Sequence, residues 1–139
     1  MSKLKIFNYC RALKPTLAKR GVLGAVIAIL LITVLEFPPP IGFETRPQSD
    51  VSIIWLIFFV VILITDIATI PLIFKRPELG RKFAIAAAIF NVLQVIADQA
   101  HLMQPEVAPL GYSLLEGAAV GASLALTYFA WNVKQNKPN

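Results

Sequence analysis

Asn91, Gln94, Asp98 and His101 recur at helical spacing within an otherwise apolar stretch, residues 82–103. At about 100° per residue, the last three fall within about 80° of Asn91. Ala84, Ala87 and Ala88 continue that side, and the back of the stretch is Ile, Phe, Val and Leu. Polar side chains at membrane depth are costly, so they face a bundle interior and mark a pathway or a pocket.

Asp98 and Glu116 are the first candidates for acid–base chemistry. In helices crossing a core of about 30 Å, Asp98 would lie about 8 Å and Glu116 about 9 Å below the outer boundary. Two carboxyls at one depth can act as general acid and base or share one proton. His101, the lone histidine and three residues after Asp98, is the third candidate for proton transfer, polarised by that carboxylate. Glu36, near the same boundary, can join this outer layer with Gln94. In the fourth helix Tyr112, Glu116, Ser123 and Thr127 fall within about 60° of one another. Asp66 lies deeper, level with Asn91. It is either a proton or cation site beside Thr69 and Pro71, or a structural partner of Asn91.

These residues need helices to hold them. The chain of 139 residues is 57% hydrophobic, with a mean hydropathy of +0.69 and 15% charged residues. That composition describes an integral membrane protein forming one domain. Four spans are expected, at about residues 21–37, 51–74, 82–103 and 110–131, in an all-α antiparallel four-helix bundle. Before them, residues 1–19 form a basic amphipathic segment on the headgroups, stopped by Pro15. After the first span, Pro38, Pro39 and Pro40 start a stiff extended connector. Trp55 is expected in the interfacial belt. Ser113, Gly117 and Gly121 form a small-residue face complementary to the third-helix alanines, or a contact for a second copy or a larger complex.

The thirteen basic residues alternate along the chain. Lys3, Lys5, Arg11, Lys14, Lys19 and Arg20 precede the first span, Arg46 alone follows it, and Lys75, Arg76, Arg81 and Lys82 follow the second. The third loop has none, and the tail has Lys134 and Lys137. The positive-inside rule puts both termini in the cytoplasm. A charge of +5 distributed this way sets topology and gives no nucleic-acid face. One cysteine, Cys10, excludes an internal disulfide and a cysteine metal cluster. One histidine cannot supply two axial haem ligands, so no metal site is expected. Phosphate-loop, nucleophile-elbow and nucleotide motifs are absent from the sequence.

The run from Asp66 through Arg76-Pro77-Glu78-Leu79-Gly80-Arg81 into the alanine-rich third helix resembles the DoxX-like group of small four-helix bacterial and archaeal membrane proteins. The resemblance implies a prokaryotic plasma-membrane subunit, sometimes tied to quinone-linked electron transfer. The function expected first is an outward-facing intramembrane pocket for a lipophilic small molecule, a quinone or an isoprenoid-like lipid. Asp98, Glu116 and His101 would supply chemistry there, and Glu36, Asp66, Asn91, Gln94, Tyr112 and Ser123 would supply binding. No cofactor is implied beyond a quinone, and whether the protein is an enzyme stays open. The alternatives are an accessory subunit of a membrane complex and a proton-coupled small transporter.

Overall fold

A computed structural model describes residues 13–47 and 52–133. Its four helices are α1 (Pro15–Leu35), α2 (Ile53–Lys75), α3 (Pro77–Gln99) and α4 (Leu110–Trp131). Each is long and apolar enough to cross a membrane, yet only 22–28% of each apolar stretch is buried inside the protein. Leu31, Ile54, Ile64, Leu114 and Leu124 point outward, each at least 60% exposed. An apolar exterior of this extent needs lipid as its solvent. The chain is a membrane-spanning all-α bundle.

The helices form a ring in which α1 touches α2 and α4, and α3 touches α2 and α4; α1 against α2 is the loosest side. Ala18, Val22, Val26 and Ile29 of α1 meet Ile73 of α2, Ala84, Ala87 and Ala88 of α3, and Leu126 and Ala130 of α4 in the core. Small residues on α3 let its neighbours approach closely. The alanines therefore do not wait for the Ser113–Gly117–Gly121 stripe: Gly117 and Gly121 are exposed, and a Cβ on either would meet nothing.

Several boundaries differ from expectation, each for a local reason. Pro15 opens α1 instead of ending a segment, because proline at the first helical position loses no hydrogen bond. The rest of the basic segment, residues 1–12, lies outside the described residues. Helix α2 continues through Pro71 to Lys75, and only Arg76 separates it from α3, which also opens on proline. The turn is tight enough that a Cβ at Gly80 would collide with the backbone of Ile73.

Helix α3 stops at Gln99, four residues before its expected end. His101 takes φ 56. Its amide donates to Asp98 O at 2.9 Å, and the Leu102 amide donates to Ala97 O at 2.9 Å. This pair of bonds is a Schellman stop with histidine where glycine is usual.

The first connector is a reverse turn, not an extended rod. The amides of Ile41 and Gly42 both donate to Pro38 O at 3.2 Å. The chain then runs back along the end of α1, with Phe43 N to Leu35 O at 2.9 Å and Glu44 N to Phe37 O at 3.2 Å. Gly42 permits this return, since a Cβ there would overlap the carbonyl oxygens of Leu35 and Phe37. The result is to carry Glu44 and Arg46 in over the end of the bundle.

Candidate functional site

The site is built where the end of α1, the first connector, the end of α3 and the start of α4 converge. Its centre is Arg46. The guanidinium donates to Glu44 Oε2 from Nη2 at 2.7 Å and from Nε at 3.0 Å. On its other side Nη2 donates to Asp98 Oδ2 at 2.8 Å and Nη1 to Asp98 Oδ1 at 3.2 Å. Nη1 also reaches Glu106 O at 3.4 Å, and the Arg46 amide donates to Glu44 Oε1 at 2.7 Å. The Tyr112 ring lies under the guanidinium, 4.8 Å from Arg46 Cζ to its centroid. One planar cation thus engages two carboxylates in forked pairs and stacks on an aromatic face, which lysine could not do.

Asp98 and Glu44 are 4% and 3% exposed. Asp98 belongs to the last turn of α3, so its burial comes from the connectors folded over it rather than from depth in the helix. Its partner is Arg46, not His101. Burial alone would weaken the Arg46 charge, but the hydrogen bonds and charges of Glu44 and Asp98 outweigh it, and the guanidinium is held protonated above its ordinary range.

Beside this pair, Glu36 caps the C-terminal end of α1 just outside the span. Burial first, then the charges of Asp98 and Glu44, push its carboxyl up to about 7. Glu116 is buried on α4 and accepts a short hydrogen bond from Gln99 Nε2, which also reaches Ser113 Oγ at 3.3 Å. The charges of Asp98 and Glu36 bear on Glu116, and Tyr112 feels those of Glu36, Asp98, Glu116 and Glu44.

Next to the charged cluster lies a cavity of about 180 Å³, open on one side. Thr33, Glu36 and Phe37 line it from the end of α1, and Trp55, Leu56 and Phe59 from the start of α2. Gln94 of α3, Tyr112 of α4 and Glu44, Met103 and Gln104 of the connectors complete the wall. Trp55 Nε1 donates to Leu102 O at 3.0 Å, so this tryptophan closes the wall and pins the α3–α4 connector instead of serving only as a belt residue. Gln104 is 8% exposed, and its Oε1 accepts no hydrogen bond among the described residues.

The structure thus brings Glu36, Gln94, Asp98, Tyr112 and Glu116 to one end of the bundle. His101 is exposed in the turn beyond α3 and does not join them. Asp66 and Asn91 form a separate buried pair: Asn91 Nδ2 lies 3.2 Å from each Asp66 carboxyl oxygen and 2.9 Å from Ala87 O. Ser123 is buried, with its hydroxyl unpartnered among the described residues. Groups of three or more metal-ligating side chains are absent among the described residues. Sequence reasoning missed Arg46, Glu44, Gln99 and Gln104. For Arg46 a signal existed, since it is the sole basic residue between the first two spans, on the side that carries Glu36, Asp98 and Glu116.

Comparison of the chain with protein-family models, curated proteins and solved structures gave no match.

Proposed function

We propose that this membrane protein binds a lipophilic small molecule in the cavity between the ends of α1 and α2. The observation that carries this reading is the cavity itself: an apolar and aromatic wall of Phe37, Trp55, Leu56, Phe59 and Met103 with Glu36, Gln94, Gln104 and Tyr112 converging on it. Apolar walls with few convergent polar groups are the usual make-up of a small-molecule site. The loose α1–α2 side gives a route from lipid. Quinones and isoprenoid-like lipids are the first classes to try, in keeping with the DoxX-like kinship suggested by Asp66 and the Arg76–Arg81 run. The same reading puts both termini in the cytoplasm and the cavity on the outer side, because Arg46 is the lone basic residue at the cavity end. Reactive cysteines at Ser49 and Asn136, with Cys10→Ser, then label from opposite sides.

Native mass spectrometry of gently extracted protein tests the cavity directly. A bound lipid or cofactor mass is the expected result. A clean apoprotein whose thermal stability ignores quinones, isoprenoid alcohols and lipophilic amines would refute a ligand site.

A second reading has its own observation. The Gly117 and Gly121 face is exposed with open space above it, as an accessory subunit packing against a partner helix requires. On that reading Gly117→Leu breaks a complex while Glu36→Gln is silent.

A further inference from the structure

The wall chemistry of the cavity narrows what can occupy it. At this end of the bundle the described residues carry Glu36, Glu44, Asp98, Glu106 and Glu116 against Arg46. Arg46 is saturated by Glu44 and Asp98. Among the described residues, Glu36 is left facing the cavity without a cation, and none gives it a hydrogen bond that offsets its burial. A second acceptor, Gln104 Oε1, is buried and unpartnered among the described residues. Around them stand the rings of Phe37, Trp55 and Phe59, whose faces attract cations. A quinone offers only acceptors, so neither an ionised Glu36 carboxylate nor Gln104 Oε1 would find a donor in it. A carboxylate or phosphate would meet like charge.

We propose that the cavity is a site for a lipophilic ammonium ion, a primary or secondary amine whose N–H groups meet Glu36 and, once the Gln104 side chain turns toward the ligand, Gln104 Oε1, while its hydrocarbon or aryl body lies among Phe37, Leu56 and Phe59. The inference rests on the cavity being a ligand site and specifies the ligand's class. The volume suits it: a cavity of about 150 Å³ accommodates benzene, so about 180 Å³ holds a ring-sized body beside the amine. A longer tail leaves between α1 and α2. Proton competition gives the site a signature. Glu36 faces Asp98 of α3, Glu44 of the connector, and Tyr112 and Glu116 of α4. Its carboxyl is pushed up to about 7, whereas an alkylamine stays charged to about pH 10. Binding therefore tightens about tenfold between about pH 6 and about pH 8 as Glu36 ionises.

The test uses the full chain in lipid nanodiscs, with Trp131→Phe leaving Trp55 as the fluorescent reporter. Phenylbutylamine is titrated against its neutral isostere phenylbutanol. The amine is expected to shift Trp55 emission with at least about tenfold tighter binding at about pH 8, and Glu36→Gln is expected to abolish both that preference and its pH dependence. Glu36→Gln removes repulsion from Asp98 and Glu44, so the variant should fold; its melting temperature checks this. Gln104→Leu gives a second variant, expected to weaken the amine more than the alcohol. Competition by phosphatidylethanolamine, and not by phosphatidylglycerol, would assign the ammonium to a lipid headgroup; no competition by either would assign it to a free amine. Equal binding of amine and alcohol, or an amine preference that survives Glu36→Gln, would overturn the inference. Binding of quinones or isoprenoid alcohols but not of the amine would overturn it while leaving the ligand site standing. Failure of every probe would remove both.

Discussion

Arg46→Met is the perturbation that most directly tests how the site is held. The substitution keeps much of the side-chain length and removes the cation. It strips two hydrogen bonds from Glu44 and two from Asp98, at 2.7–3.2 Å. Both carboxylates are left buried, with Glu36 and Glu116 in electrostatic reach. Removing one partner of a buried ion pair costs about 3–5 kcal/mol, mostly through the orphaned charge. Here two charges are orphaned, but the connector carrying Glu44 can lift away, so about 3 kcal/mol is the expected loss. Arg46→Lys should lose about half of that, because an ammonium keeps the charge but cannot fork to two carboxylates. The double change Arg46→Met with Asp98→Asn should recover part of the loss by removing one orphan. Reversible unfolding in mixed micelles measures all three against the parent. A loss below about 1 kcal/mol for Arg46→Met, with no recovery in the double variant, would refute the claim that Arg46 latches the connector onto α3.

Other changes follow from the same geometry. His101→Gly should stabilise the protein by about 1 kcal/mol, since glycine adopts positive φ freely; destabilisation would give the histidine side chain a role the turn does not explain. Gly42→Ala should cost about 1–3 kcal/mol and loosen the Arg46 latch, readable as faster hydrogen exchange in residues 38–46. Asn91→Leu removes the donor to Asp66 and should cost about 1–2 kcal/mol in thermal unfolding. Glu36 gives stability a pH dependence. Its folded carboxyl, at about 7, holds a proton that the unfolded one releases near 4.5. Its contribution is therefore full below about 4.5 and is lost as pH rises through about 7, a change of at most about 3 kcal/mol. Glu36→Gln should flatten that slope, and an unchanged slope in unfolding midpoints between those pH values would show Glu36 to be solvated.

The helices were legible because their signal is long and apolar, and basic residues mark the start of α1 and the turn between α2 and α3. The stopping residues were less legible. Nothing in Gln99-Ala100-His101 announces a left-handed turn, because the usual mark is glycine, and the polar spacing of Asp98 and His101 reads as a continuing helix. The Pro38-Pro39-Pro40 run likewise reads as a rod, and only Gly42 hints that the chain must pass close to its own carbonyls. Asp66 and Asn91 could be paired from depth alone because both sit inside helices of known rise. Arg46 could not be placed that way, since a connector has no periodicity to give it a depth. Charge balance reaches it by another route. Glu36, Asp98 and Glu116 all lie toward one end of the bundle, and buried carboxylates need a counter-charge. The chain puts one cation on that side. A single guanidinium forked between Glu44 and Asp98 has no capacity for Glu36, so among the described residues the carboxyl facing the cavity is left without a counter-charge.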